Sequence, residues 1–173
     1  MAKRRTKSGE QNEPLALSAW KFPNVSPERS RNMAAIRSRD TAPERTVRSV
    51  LHRLGYRFRL HVHDLSGRPD IVLPRHRTVI FVHGCFWHSH RCRVGRRIPK
   101  TNQEYWQAKR DKNRARHEKS RRTLRRAGWK VLKIWECQTR DVEALTSRIE
   151  CSLSNSPTST ANQTPHRAAR HST

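Results

Sequence analysis

The chain has 173 residues, enough for one domain with tails and too few for two sizeable cores. Lysine and arginine total 38 against 14 acidic residues, a formal charge of +24 and a pI near 11.6, which predicts a polyanionic partner, DNA or RNA first, and says nothing about fold. No apolar run reaches the ~20 residues of a membrane span and none follows the basic N-terminus, so neither a membrane protein nor a secretory signal is expected. Four cysteines without an export signal then point to metal ligands or free thiols rather than disulfides.

Residues 1–25 are polar, charged and aperiodic and read as a disordered basic arm. Ser26-Pro27-Glu28 has the form of a helix start. Thr41-Ala42-Pro43-Glu44 is a second start, a capping box, after which Val47, Val50, Leu51 and Leu54 recur at helical spacing until Gly55. Tyr56 to His61 alternates as a strand, Leu65 to Pro69 is a turn, and Asp70 to Leu73 is a short apolar strand. Pro74-Arg75-His76 turns into the β-branched run Thr78 to Val82. A tight hairpin there places Asp70 opposite Phe81; a longer loop places it opposite Val82.

A capping box at Thr101 to Glu104 opens a long helix to Arg126, closed by Gly128. Between Arg93 and Arg126 lie 14 Lys/Arg and three acids, suited to a phosphate backbone or simply to a solvated cationic face. Trp129 to Trp135 is a strand, Asp141 to Cys151 a helix, and the Ser/Thr/Asn-rich residues 152–173 read as a disordered tail. The order predicts an α/β domain, residues 26–151, around a mixed sheet.

The segment after Val82 carries the chemistry. Cys85, His90 and Cys92 supply three soft or borderline ligands within eight residues, and Cys137 ends the apolar run Val131 to Trp135. Zinc favours such a set in a tetrahedron, so two strands ending side by side with a structural zinc between their ends is the expected arrangement. A catalytic zinc would instead need Cys137 to point elsewhere. His83, His88 and His90 cluster here too, and only one is needed to complete the zinc set. They read either as alternative zinc ligands and solvated loop residues or as a base, since imidazole can take a proton from water near neutral pH. Asp70, at the mouth of an apolar strand, needs a partner: magnesium, the preceding turn, or Arg68. The adjacent rings Phe86 and Trp87 either pack into the core or act as a wedge that unstacks DNA, and Met33 among arginines admits the same two readings.

Several of these segments resemble the very-short-patch repair (Vsr) DNA mismatch endonucleases. They are Arg29-x-Arg31-Asn32-Met33-x-x-Ile36, Asp40-Thr41-Ala42-x-Glu44, Gly67-Arg68-Pro69-Asp70, Val79 to His88 with its Gly-Cys-Phe-Trp-His core, and Trp135-Glu136-Cys137. The resemblance spans roughly residues 27–151. It implies a restriction-endonuclease-like fold with a mixed central sheet flanked by helices and a structural zinc. It implies a strand-specific nick 5′ to the mispaired thymine of a T·G mismatch, of the kind left by deaminated 5-methylcytosine. Carried over by motif, Asp70 would hold magnesium with help from the Val82 backbone carbonyl, and His88 would move the proton of the attacking water. His83 and Glu44 would support the site as a hydrogen-bonded pair. Cys85, His90, Cys92 and Cys137 would bind zinc, while Phe86, Trp87 and Met33 would insert beside the mismatch. The implied setting is a monomer at the bacterial nucleoid, with MutL as a protein partner.

The chain departs from the pattern in places. The related restriction fold has a second acid and a lysine where Val82 and Gly84 stand, the best-known Vsr pattern has threonine at Val82, and many Vsr chains have a histidine where Ser89 or Arg91 stands. Two other readings stay open at this level: a zinc-stabilised DNA-binding module without catalysis, and a related nuclease with another target.

Overall fold

The computed structural model describes residues 39–154, with Glu28 and Arg31, both helical, besides. The expected N-terminal arm, the rest of the first expected helix including Met33, and residues 155–173 lie outside the described residues.

Helix α1, Ala42–Arg53, starts where the capping box predicts. Thr41 is the N-cap, its hydroxyl donates to Glu44 Oε1 at 2.7 Å, and the reciprocal backbone bonds are long, at 3.4–3.5 Å. Pro43 sits inside the first turn, where a missing N–H costs nothing. Val47, Val50 and Leu51 are fully or almost fully buried, and Gly55 ends the turn at φ 78°.

Strand β1 is only Arg59–Leu60, shorter than the expected Tyr56 to His61, because His61 turns to φ 52° and leaves the ladder. Strands β2, Ile71–Leu73, and β3, Thr78–His83, form an antiparallel hairpin with Ile71 opposite Ile80 and Leu73 opposite Thr78. Continued one step, this register puts Asp70 opposite Phe81, the tight alternative. Pro74–His76 makes one turn of 3-10 helix and Arg77 takes φ 46°.

Helix α2, Gln103–Arg126, begins without the expected box. Its N-cap is Asn102, in the left-handed conformation at φ 55°, and the Asn102 side chain makes no capping bond. The displacement by one residue takes Glu104 out of the position that could reach back to the cap. Strand β4, Lys130–Trp135, runs parallel to β3 with His83 opposite Trp135. A 3-10 turn, Glu136–Thr139, leads to α3, Val142–Ser154. This last helix runs three residues past the expected end and takes in the start of the supposed tail. Leu145, Ile149 and Leu153 form one stripe four residues apart, all buried, and that packing overrides the serine-rich composition.

The sheet order is β1-β2-β3-β4, mixed, with three described helices around it. Alternation along β3 divides the core. Ile80 and Val82 face α1 and α3, with Ile71, Leu73, Leu132 and Ile134. Val79 and Phe81 face α2, with Val72 and Leu124. Gly67, at φ 79°, lets the 65–69 turn lie against α2, since a Cβ there would fall 2.6 Å from the Ser120 side chain. No described helix is long and apolar enough to cross a membrane.

Candidate active site

Two parallel strands leave their last residues side by side, and the loops that follow must start together. Cys85 lies two residues beyond β3 and Cys137 two residues beyond β4, so the register His83–Trp135 delivers both thiols to one place. The loop after β3 folds back to add His90 and Cys92. The ligand atoms of Cys85, His90, Cys92 and Cys137 all lie within 4.8 Å of one another. Cys137 Sγ is 3.5 Å from His90 Nδ1, and the Cys137 N–H points to Cys85 Sγ at 3.4 Å. Burial pushes the Cys85 thiol up to about 12, while the Gly95 N–H and His90 bring the Cys92 thiol down to about 6. Three thiols held this close cannot all ionise without a cation among them, and three sulfurs with one imidazole are the donor set of structural zinc. The residues fit that ion and fill its four positions. Gly95 is required by the wrapping: a Cβ there would meet His90 O at 2.1 Å.

Asp70 stands at the other end of the same junction. One of its carboxylate oxygens accepts the Val82 N–H at 2.7 Å, across the hairpin. Neither the preceding turn nor Arg68 is its partner. Burial pushes its carboxyl up from 3.8 to about 6; the Val82 bond opposes this, the nearby Glu44 charge adds to it, and Arg48 and His61 pull it down. Glu44 is itself only 4% exposed and accepts from the Asp40 N–H and from Arg48, both at 3.0 Å. One or two carboxylates with substrate phosphate are the usual protein share of a magnesium site.

The histidines gather on the other face. His83 stacks on His88 with ring centroids 3.8 Å apart and planes 10° from parallel. Its Nε2 lies 3.1 Å from Nδ1 of His117, on α2. Burial dominates the titration of all three and holds them neutral, His83 down to about 2 and His88 and His117 down to about 4. His83 Nδ1 and His117 Nε2 are buried without a hydrogen-bond partner. The expected His83–Glu44 pair is not made. Glu44 belongs to α1, on the Val82 face of the sheet, while His83 follows Phe81 to the α2 face, so strand alternation separates them. The three rings open into a cleft of about 440 Å³ shared with Arg91, Arg114 and Lys133. The acid lining it, Glu118, is committed to Arg121 at 2.6 Å and Arg122 at 3.2 Å, leaving the cleft cationic.

Phe86 and Trp87 are both half-buried and touch at 5.1 Å. They meet Trp106 of α2 at 5.7 and 6.0 Å, and Lys109 Nζ lies 5.4–5.7 Å from the rings of Trp87, Tyr105 and Trp106. Neither Phe86 nor Trp87 belongs to the two buried cores.

Comparison with known proteins places this geometry. The family model described as DNA mismatch endonuclease Vsr matches residues 25–94. The "Type II nicking enzyme V.XorIIP" of Xanthomonas oryzae is 51% identical over 126 residues, 72% of this chain and 92% of that protein. The "DNA mismatch endonuclease Vsr" of Escherichia coli is 45% identical over 127 residues, 70% of this chain and 81% of that one. The "Type II nicking enzyme V.NmeAIP" of Neisseria meningitidis is 42% identical over 114 residues, 66% of this chain and 81% of that one.

The chain belongs to the Vsr family of DNA mismatch endonucleases.

It is thus a Vsr-family DNA endonuclease, a hydrolase whose substrate is DNA, and its cationic cleft and basic long helix agree with that. Met33, expected among the wedge residues, lies outside the described residues. Three residues that the fold brings to these groups were given no role from the sequence. His117 looks like one more residue of a basic helix; the signal was its place on the inner stripe of Arg110, His117, Ser120 and Leu124. Arg110 is 3% exposed, a position that composition would never assign to arginine. Glu136 accepts the Cys85 N–H at 3.1 Å and so steadies the thiol loop from β4.

Proposed function

We propose that this enzyme nicks one strand of duplex DNA on the 5′ side of the mispaired thymine in a T·G mismatch, in very-short-patch repair. The observation that carries the reading is the junction at the end of β3. There the Asp70 carboxylate is tied to the Val82 N–H at 2.7 Å, and the next residue, His83, begins a stack of neutral imidazoles open to a cationic cleft.

In this reading Asp70 and the Val82 carbonyl would hold magnesium, and that ion would supply charge neutralisation at the scissile phosphate. One Asp70 oxygen accepts the Val82 N–H, and the other is the one that would be offered to the cation. His88, neutral at physiological pH, takes a proton from the attacking water, and His83 supports its ring from below. Arg91, Arg114 and Lys133 draw the DNA backbone toward the histidine cleft. Glu44 acts through its charge on Asp70 rather than by a bond to His83. Zinc fixes the loop that presents Phe86 and Trp87 to the duplex, where unstacking costs a few kcal/mol per step and a weakened T·G pair yields most easily. The working form is a monomer, and MutL is included as a partner on the family resemblance alone.

The test uses labelled duplexes with a single T·G pair and their T·A controls, in several flanking contexts, with magnesium. Nicking of the T strand alone is expected, lost in Asp70→Ala and His88→Ala. Equal cutting of T·A and T·G duplexes would replace the mismatch reading with that of a nuclease for another target. Unchanged nicking by Asp70→Ala would defeat the magnesium assignment. The flanking arms matter because two of the relatives carry the name Type II nicking enzyme and one the name DNA mismatch endonuclease.

A further inference from the structure

Ser89 separates two histidines that must face different ways. His88 stacks on His83, while His90 turns its Nδ1 into the thiol cluster and lays its ring on Trp135 at 4.2 Å. The chain makes this change of direction by putting Ser89 in the left-handed region, at φ 53°, which L residues other than asparagine and aspartate seldom adopt. The local backbone does little to hold it: the Ser89 N–H reaches Phe86 O at 3.4 Å.

The stronger hold comes from α2. Arg110 donates from Nε to Ser89 Oγ at 2.8 Å, from Nη1 to Arg97 O at 3.1 Å, and from Nη2 to Gly95 O. Its guanidinium also lies 5.3 Å from the Phe86 ring centroid. Among the described residues no carboxylate forms an ion pair with it. A guanidinium buried to 3% exposure against neutral acceptors alone is a costly way to add stability, whereas its rigid planar fork is a good way to fix geometry. All three bonds go to the single loop that carries His88, Phe86 and three of the four expected zinc ligands.

We infer that Arg110 and Ser89 form a latch that sets the turn between His88 and His90, making Arg110 a positioning residue for the His88 imidazole. Zinc fastens the His90 side of the turn and the latch fastens the His88 side. The inference rests on the reading of His88 as the proton-transfer residue, but the latch itself is a geometric statement that can be read without turnover.

The experiment compares Ser89→Ala, Ser89→Asn and Arg110→Lys in the zinc-loaded full chain, with four readouts: single-turnover nicking of the T·G duplex, affinity for that duplex, zinc per chain, and the NMR resonances of the His88 ring. Ser89→Ala should keep its zinc and its duplex affinity and lose about tenfold in rate, the order expected for a slightly misplaced catalytic group. Its His88 ring protons should move away from the position that stacking on His83 imposes. Ser89→Asn keeps an acceptor for Arg110 and tolerates a positive φ, and should recover the rate to within about twofold. Arg110→Lys keeps the charge without the fork and should resemble Ser89→Ala. Full rate in Ser89→Ala with unmoved resonances overturns the latch, as does loss of zinc in step with rate, which would make the contact a loop fastener only. Resonances that move while the rate stays put uphold the latch and overturn instead the assignment of proton transfer to His88.

Discussion

Replacing Asp70 by asparagine should abolish nicking and yet make the magnesium-free protein more stable at neutral pH. Burial pushes the Asp70 carboxyl up from 3.8 to about 6. The folded chain therefore holds this proton more tightly than the unfolded chain does. The group's contribution to stability is full below the unfolded value of 3.8, and it is lost as pH rises through about 6. A separation of about two pKa units at ~1.36 kcal/mol each puts the cost of the ionised carboxylate near ~3 kcal/mol at pH 7 and at roughly half that near pH 5. Asparagine keeps an oxygen for the Val82 N–H and removes the repulsion from Glu44. Urea unfolding of zinc-loaded protein should then show Asp70→Asn ahead by about 2–3 kcal/mol at about pH 7.5, with the lead shrinking toward pH 5. Magnesium should stabilise the wild type and leave the variant unmoved. A variant less stable than wild type at neutral pH, or a lead that widens on acidification, would refute the burial argument.

Cys137→Ser should release zinc and fold stability together, because that thiol is the one member of the cluster that comes from beyond β4; metal analysis and thermal unfolding check this, and retained zinc with an unchanged melting temperature counts against it. Gly95→Ala should do nearly the same without touching a ligand, since its Cβ would fall 2.1 Å from His90 O, a backbone atom that cannot swing aside. In kcat/KM measured at low magnesium, the acid limb should lie near the Asp70 value of about 6 and move down as magnesium is raised, with no imidazole limb between about pH 5 and 8 because His88 is held near 4. A limb that ignores magnesium would belong to a histidine instead.

Much of this was legible in the residues. The capping box at Thr41, the glycines that follow α1 and α2, and the apolar run of β3 are local matters, decided by side chains within four positions of one another. The ligand cluster was legible in large part for a related reason: Cys85, His90 and Cys92 lie within eight residues and Cys137 ends another apolar run, while the choice of His90 among its neighbouring histidines came from the family resemblance. Where locality failed, so did the reading. The second capping box was displaced by one residue, and the last helix ran on to Ser154 because Leu153 found a buried place that composition could not announce.

By itself the amino-acid sequence determined the element order, the metal-binding loop, the cationic character and the family, since these depend on residue type and spacing along one chain. Only the tertiary structure decided how the site divides. Alternation on β3 sends Val82 toward α1 and His83 toward α2, so Glu44, on α1, is parted from His83, while His117, 34 residues further along the chain, ends beside it. The same packing put Arg110 against Ser89 across 21 residues of chain. Contacts of that kind depend on which face each element turns to its neighbour, and a helix carrying basic residues all round does not show its inner face until something packs against it.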